Sequence, residues 1–583
     1  MIEGPPLPPL HAVTVNAALE RAAASAHGLT FVDGREHEYA MAWSELRERA
    51  GRLAGALAER GIRPGDRVAI VLPTGADFMD AFFGTLLAGA VPVPLYPPVR
   101  LGRMDEYVHA TARMVGAVGA RVVVSDARIR LLLGGAVELA RPALGCPTVA
   151  ELRSGAVAHE VAVARDALGL IQFSSGSTVD PKPVALTHGA LMAQVAALGA
   201  LLQVPAESPP TGVSWLPLYH DMGLIGCLLE AMYHPGSLVL IPPDLFLARP
   251  ALWLRALSRH RGIVSPAPNF AYGLCVKRIR DEDLAGVDLS HWRYALNGAE
   301  PVSAAVQERF AMRFARAGFR AESLMPVYGL SECALAVTFT SADGAKRELA
   351  VDANVLATHG RVAPGAHRIV SVGTPVPGAA IDVRDGSGAS VDEGRVGRVY
   401  ARAPFIMHGY FNQPAATRAV IHDGWLDTGD LGFVDGGELF ITGRAKDVVI
   451  IRGANHAPQR FEECLEGIAG LRAGCAVAVG CVPPGGDDEA LVILAEHADD
   501  APADLAARVA AAIIEGTSIA PYAVVLLAPG TLPRTSSGKL RRGEALRQYR
   551  TGTLRAAARV TTLRVGIEVA KSMVAFARHR RDR

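Results

Sequence analysis

Apolar residues recur along this chain at two periods. Residues 46–60 repeat them at helical spacing, RPGDR at 63–67 interrupts the pattern, and the apolar run VAIVL follows at 68–72. Recurrence at three and four residues marks an amphipathic helix, whereas a short Val-rich run between turn residues marks a buried strand. The spacing predicts further helices over 77–87, 104–118, 189–202, 223–232 and 250–259, and strands over 91–94, 121–125, 168–173, 237–241, 263–265 and 293–297. Helices alternating with short apolar strands imply an α/β fold whose parallel sheets are covered by helices. The segment 183–206 reads as a loop feeding a buried helix.

From about residue 369 the runs become shorter and alternate, as in GRVYAR at 397–402 and GELFIT at 437–442, which suggests a small antiparallel or barrel-like subdomain. A change of composition follows near 442–446. Beyond it, 461–468, 475–481, 490–495 and 503–514 read as a small α+β domain. The expected organisation is a large N-terminal domain over 1–442, a hinge at 443–446, a small mobile C-terminal domain over 447–550 and a tail over 551–583.

Composition narrows the function classes. The 583 residues are too many for one compact core, and half of them are apolar with 20% charged, which argues against disorder. Lys plus Arg number 59 against 58 Asp plus Glu, so no global field gathers nucleic acid or an anionic membrane. The seven cysteines are dispersed and show no CxxC spacing, which indicates neither a disulfide framework nor a zinc site. The start MIEGPPLPPLH lacks the basic and apolar regions of a secretory signal. These features together predict a cytoplasmic protein.

The stretch QFSSGSTVDPK at 172–182 is rich in small and hydroxyl-bearing residues and ends in a cation. Such a loop brings backbone N–H groups and hydroxyls close to phosphate oxygens, although the same residues also build ordinary turns. No GxxxxGK[ST] occurs at this loop, which excludes a P-loop phosphotransferase.

Further motifs follow in order: WLPLYHDMGLIG at 215–226, APNFAY at 267–272, NGAEP at 297–301, YGLSE at 328–332, GWLDTGDLG at 424–432, GRAKDVVIIRGANHAPQ at 443–459 and PRTSSGKLRR at 533–542. With them the chain resembles, over nearly its whole length, the adenylate-forming superfamily and within it the fatty acyl-AMP ligases. The resemblance implies an acyl-CoA synthetase-like fold and two steps: a fatty acid carboxylate attacks the α-phosphate of ATP, and the acyl-adenylate then meets a thiol. It implies that Ser174, Ser175, Gly176, Ser177, Thr178 and Lys182 grip phosphates, and that Asn297, Gly298, Ala299 and Glu300 line the adenine pocket. Tyr328, Gly329 and Ser331 belong to the adenine-stacking segment, Glu332 holds Mg²⁺, Asp430 binds the ribose hydroxyls, and Arg444 contacts ribose and phosphate. Lys539 reaches the substrate carboxylate and α-phosphate from the small domain. His220, Asp221, Met222, Gly223, Phe270 and Tyr272 lie along the acyl and thiol path; Leu224, Ile225 and Cys227 are apolar enough to join its wall or the core.

The loop departs from the superfamily pattern at Val179 and Pro183, where glycine is usual; both residues restrict the backbone and predict a stiffer loop. Residues 341–367 resemble a family-specific insertion that goes with poor use of coenzyme A, which directs the acyl group to the phosphopantetheine thiol of an acyl carrier protein. In the tail, Arg555, Arg559, Arg564, Lys571, Arg578, Arg580, Arg581 and Arg583 face only Glu568 and Asp582, while Leu563, Ile567, Ala570 and Val574 follow helical spacing. A basic amphipathic helix there fits a carrier dock, a solvated tail or peripheral membrane contact. The rivals that stay open are an acyl-CoA synthetase or an aryl or amino acid adenylating enzyme, separated by a thiol-acceptor assay, and a non-catalytic relative, motivated by Val179 and Pro183 and opposed by Lys182, Glu332, Asp430 and Lys539.

Overall fold

A computed structural model describes residues 1–98, 101–153, 159–174, 181–203, 211–341, 347–483, 488–535, 538–557 and 561–581. Its centre is a nine-stranded sheet ordered Thr374–Pro375, Ala336–Phe339, Leu324–Gly329, Tyr294–Asn297, Val264–Ala267, Thr211–Ser214, Ser237–Leu240, Gly28–Val32 and Glu38–Ala42. The middle strands pair in parallel and both edges end in antiparallel pairs. Helices cover the sheet, as the alternating pattern requires, and one large apolar cluster runs through this part of the molecule.

A second, three-stranded parallel sheet joins Val91–Leu95, Arg67–Val71 and Val122–Ser125. The shorter alternating runs form a six-stranded antiparallel sheet that includes Gly397–Arg402, Trp425–Asp435 and Glu438–Arg444. The strand Glu438–Arg444 carries the pairing through Gly443 and Arg444, so the first half of segment 443–446 is still sheet. After it come the hairpin Val449–Ile451 and Ala454–His456, a sheet of Leu471–Cys481, Ala490–His497 and Ala523–Leu527, and the helices Pro458–Glu463, Leu505–Thr517 and Arg542–Arg550. These elements bury two apolar clusters of their own.

Three local outcomes depart from the periodicity. Segment 183–206 begins with a strand, Pro183–Thr187, before the helix His188–Leu201. Pro183 is the first strand residue, a place where a missing N–H costs no ladder bond. Segment 223–232 is a composite: a short α turn at Asp221–Gly223, a π-helix at Leu224–Leu229 and an α turn at Glu230–Tyr233. The tail forms the helix Thr562–Arg581, which lies against the helix Ala127–Ala140 and so is not a solvated extension there. Their crossing is close. A Cβ on Gly134 would meet the Ser572 carbonyl oxygen at 2.0 Å, and the Gly134 N–H donates to Ser572 Oγ at 2.7 Å.

Candidate functional site

The first group of candidate residues is built where the strand Leu324–Gly329 ends. The chain turns sharply after it: Leu330 N–H donates to Leu335 O at 2.8 Å, and Leu335 N–H donates to Cys333 O at 2.6 Å across Ala334, whose φ is +59°. A buried non-glycine residue in that region is strained backbone, which persists where its surroundings over-determine it. A Cβ on Gly329 would meet Leu335 O at 1.8 Å, so the turn closes only on glycine. The result aims Tyr328 at the neighbouring sheet, where its hydroxyl donates to Asp430 Oδ2 at 2.7 Å.

Asp430 lies buried on the strand Trp425–Asp435, directly opposite Arg444 in register, and Arg444 Nε donates to its Oδ1 at 2.9 Å. Burial and the adjacent Asp430 charge push the Tyr328 phenol well above its ordinary range, and Asp430 pushes the Arg444 guanidinium up in turn. Both carboxylate oxygens are thus engaged, though each keeps acceptor capacity for a further donor. On the strand Tyr294–Asn297, which pairs with Leu324–Gly329, Asn297 is fully buried, with Nδ2 donating to Asn269 Oδ1 at 3.2 Å and its Oδ1 without a partner among the described residues. Gly298 approaches Val327 so closely that a Cβ would meet its carbonyl oxygen at 2.7 Å; Ala299 follows at φ +69°. Glu300 accepts the Phe270 N–H, and burial raises its carboxyl.

The second group rests on the antiparallel pair Leu168–Phe173 and Pro183–Thr187. Ser174 N–H donates to Lys182 O at 2.9 Å and Lys182 N–H donates to Ser174 Oγ at 3.2 Å, which pins the base of the loop. Ser175, Gly176, Ser177, Thr178 and Val179 lie outside the described residues. Lys182 Nζ sits 4.4 Å from the centre of the Tyr410 ring, a cation–π contact. The hydroxyl of the same ring donates to Glu332 Oε1 at 2.8 Å. Burial raises the Glu332 carboxyl, partly offset by that hydrogen bond. Tyr410 links the two groups and was not singled out from the sequence, since HGY at 408–410 reads as an ordinary turn.

The third group forms at the start of the composite helix. His220 Nδ1 lies 2.5 Å from Asp221 Oδ1, Ser331 Oγ donates to Asp221 Oδ2, and Met222 N–H donates to Oδ1 at 2.8 Å. Burial works to raise the Asp221 carboxyl, but His220, Ser331 and the charge of Lys539 outweigh it and hold the group well below the carboxylate range. His220 Nε2 is buried and has no partner among the described residues. Lys539 arrives from the far end of the chain, where its N–H donates to Thr535 Oγ1 at 3.1 Å. Burial lowers its ammonium, while the charges of Asp221 and Glu300 oppose that shift.

Ser174, Lys182, His220, Asp221, Met222, Phe270, Ala299, Glu300, Tyr328, Gly329, Ser331, Glu332, Asp430, Arg444 and Lys539 all line one cleft of about 3090 Å³. Asn297, Gly298 and Gly223 back its wall instead of lining it; a Cβ on Gly223 would meet Pro217 O at 2.4 Å. Tyr272 is elsewhere: it is fully buried among Trp253, Trp292 and Phe310, with its hydroxyl on Leu296 O. Leu224, Ile225 and Cys227 are core residues of the π turn. Arg103, which no motif marked, donates from Nη2 to the carbonyl oxygens of Gly530, Thr531 and Arg555 at 3.3, 3.0 and 3.0 Å, joining the N-terminal part to the segments on either side of Lys539.

A family model described as AMP-binding enzyme matches residues 19–411. The chain belongs to the AMP-binding enzyme family. It is 34% identical over 93% of its length, and 96% of the other's, to a Caulobacter vibrioides protein provisionally named acyl-CoA synthetase. It is also 34% identical, over 88% of its length and 91% of the other's, to the long-chain-fatty-acid–AMP ligase FadD26 of Mycobacterium marinum. A solved structure from work on the fatty acyl-adenylate ligases of E. coli and L. pneumophila superposes with a TM-score of 0.87 at 33% identity, covering 93% of this chain and 99% of that one. The family and the two-part α/β fold expected from the motifs are therefore borne out.

Proposed function

We propose that this AMP-binding enzyme activates a medium- or long-chain fatty acid with ATP, releasing pyrophosphate, and passes the acyl group from acyl-AMP to the phosphopantetheine thiol of an acyl carrier protein. The convergence of Tyr328, Glu332, Asp430, Lys182 and Lys539 on one cleft carries this reading. The likeness to fatty acyl-adenylate ligases supports the choice of acid.

In the first step a carboxylate oxygen forms a bond to the α-phosphorus while the bond to the bridging oxygen of pyrophosphate breaks. Lys539 spreads the charge growing on the attacking carboxylate and the α-phosphate, and Lys182 with Ser174 takes the charge leaving on pyrophosphate. Tyr328 and Asp430 hold the nucleoside. A fatty acid is already ionised at neutral pH, so no base is needed for attack, and His220, fixed through Nδ1 by Asp221, orients substrate with Nε2. Among the described residues no group of three or more His, Cys, Asp or Glu forms a metal cage. A magnesium ion wants few protein ligands plus phosphate oxygens, and the buried Glu332 carboxylate, raised by burial, is the group that would hold it. Such an ion would neutralise the departing pyrophosphate.

The test is incubation with ATP, Mg²⁺ and fatty acids of graded length, followed by offering the products coenzyme A or holo carrier protein. Acyl-AMP and pyrophosphate are expected, with acyl transfer to the carrier protein. Absence of adenylate with every acid overturns the enzyme reading, and rapid acyl-CoA formation overturns the choice of acceptor. Lys539→Ala is expected to slow adenylate formation by roughly 10²- to 10³-fold, the usual cost of losing one charge-stabilising donor.

A further inference from the structure

The terminal helix Thr562–Arg581 has two unlike faces. Its inner face meets Ala127–Ala140 through Ser572, Ala575 and His579, all buried, with Phe576 packed on the same cluster. That contact holds the helix without help from its outer face. On the outer face Leu563 is 77% exposed, Ile567 48%, Met573 61% and Val574 51%. Successive side chains of a helix advance by about 100°, so Leu563, Ile567, Ala570 and Val574 make one continuous stripe, bordered by Lys571, which pairs with Glu568 at 2.9 Å, and by Arg578, 3.7 Å from Glu138, both cations being more than half exposed. Every exposed, described position from Leu563 to Arg578 is apolar, glycine or basic.

We propose that this outer face lies on an anionic membrane surface. Aliphatic chains in a tail with eight Lys and Arg against two acids after residue 550 are what an interfacial helix presents: the apolar stripe enters the acyl boundary, and exposed ion pairs such as Lys571–Glu568 hold weakly enough for the cations to turn to anionic headgroups. The surface is poorly suited to a protein partner, because interface centres favour aromatic residues, and the aromatic residue of this helix, Phe576, faces inward. No described residue of the helix lines the cleft, so a carrier protein seated here gains no route to the site from it. No helix among the described residues is long and apolar enough to cross a membrane, and the contact is peripheral. It brings the cleft to a surface where long-chain amphiphiles concentrate.

The full chain is mixed with vesicles of phosphatidylcholine alone or of phosphatidylcholine with phosphatidylglycerol, and bound protein is measured by flotation. Binding is expected to the anionic vesicles, to weaken with rising salt, and to fall roughly tenfold or more in Ile567→Glu/Val574→Glu. Lys571→Gln/Arg578→Gln is expected to flatten the salt dependence. All variants should keep the melting temperature and the ATP–pyrophosphate exchange of the parent with a short, water-soluble acid. No partition of the parent chain onto anionic vesicles at low salt overturns the proposal. Equal binding by Ile567→Glu/Val574→Glu overturns it too, as does loss of carrier-protein binding in that variant with vesicle binding intact. Because vesicle binding needs no turnover, a failure here is distinct from a failure of the proposed reaction.

Discussion

Tyr410 serves two charged groups at once. Its ring faces the Lys182 ammonium and its hydroxyl donates to Glu332, so Tyr410→Phe keeps the first contact and removes the second. Losing a hydrogen bond to a buried carboxylate costs about 1.5–3 kcal/mol and pushes Glu332 further up. The expected outcome is a higher Mg²⁺ requirement for adenylation with little change in the KM for fatty acid, read by steady-state kinetics. Lys539 makes a second residue-scale prediction. Burial lowers its ammonium, so as pH rises it loses its charge earlier than an exposed lysine does. Adenylation should therefore fall along an alkaline limb below the ordinary lysine range, and Lys539→Arg should move that limb upward, since guanidinium stays charged. A pH–rate profile of the first half-reaction checks this.

Among elements, the segment that carries Lys539 depends on Arg103. That guanidinium gives one nitrogen to three carbonyl oxygens, and its side chain is only 12% exposed. Arg103→Ala is expected to slow acyl-AMP formation roughly tenfold while leaving thiol transfer from supplied acyl-AMP nearly unchanged, because charge-assisted bonds of this kind are worth about 1.5–3 kcal/mol. Equal loss in both half-reactions contradicts that role. Pro183 calls for a different expectation. It opens the strand opposite Phe173, and Phe411 N–H donates to its carbonyl oxygen at 2.8 Å. Pro183→Gly should therefore lower the melting temperature slightly without accelerating adenylation.

These elements also show what could be read beforehand. The helices Trp43–Glu59 and Ala76–Leu87 and the strand Arg67–Val71 fall where periodicity put them, because one face or both are buried and the pattern reports burial. Lys182, Glu332, Asp430 and Lys539 were named from motifs and line one cleft. Tyr272 shows the limit, since an aromatic residue beside a motif carries no mark of whether it faces cavity or core. Tyr410 and Arg103 escaped because their partners lie 78 residues and more than 400 residues away in the chain. The π turn at Leu224–Leu229 escaped because an inserted residue leaves an all-apolar helix all-apolar.

On the scale of the whole molecule, His188 ties stability to pH. It is 1% exposed, and its Nδ1 accepts the Val15 N–H at 3.1 Å, a bond a protonated ring cannot make. Burial lowers its pKa from 6.5 to about 4, so the unfolded chain binds the proton first as pH falls. Stability from this group is complete above the unfolded value and is lost between the two, by up to about 3 kcal/mol. Asp221, held low, acts in the same direction at still lower pH. Glu230, which burial pushes up to about 8, works the opposite way, so the check is a difference: the denaturant midpoint of His188→Asn should lie below the parent's at pH 7, and the gap should narrow towards pH 4.

The crossing of Gly134 and Ser572 bears on how the protein is handled. A chain cut after residue 557 loses the acceptor for the Gly134 N–H and bares an apolar seam on Ala127–Ala140, where Leu131 and Leu139 are already exposed. Such a shortened protein should keep a complete cleft yet become sticky, eluting early in gel filtration, while Gly134→Ala should produce the same stickiness in the full chain by prising the two helices apart. Purification tags are therefore safer at the other terminus.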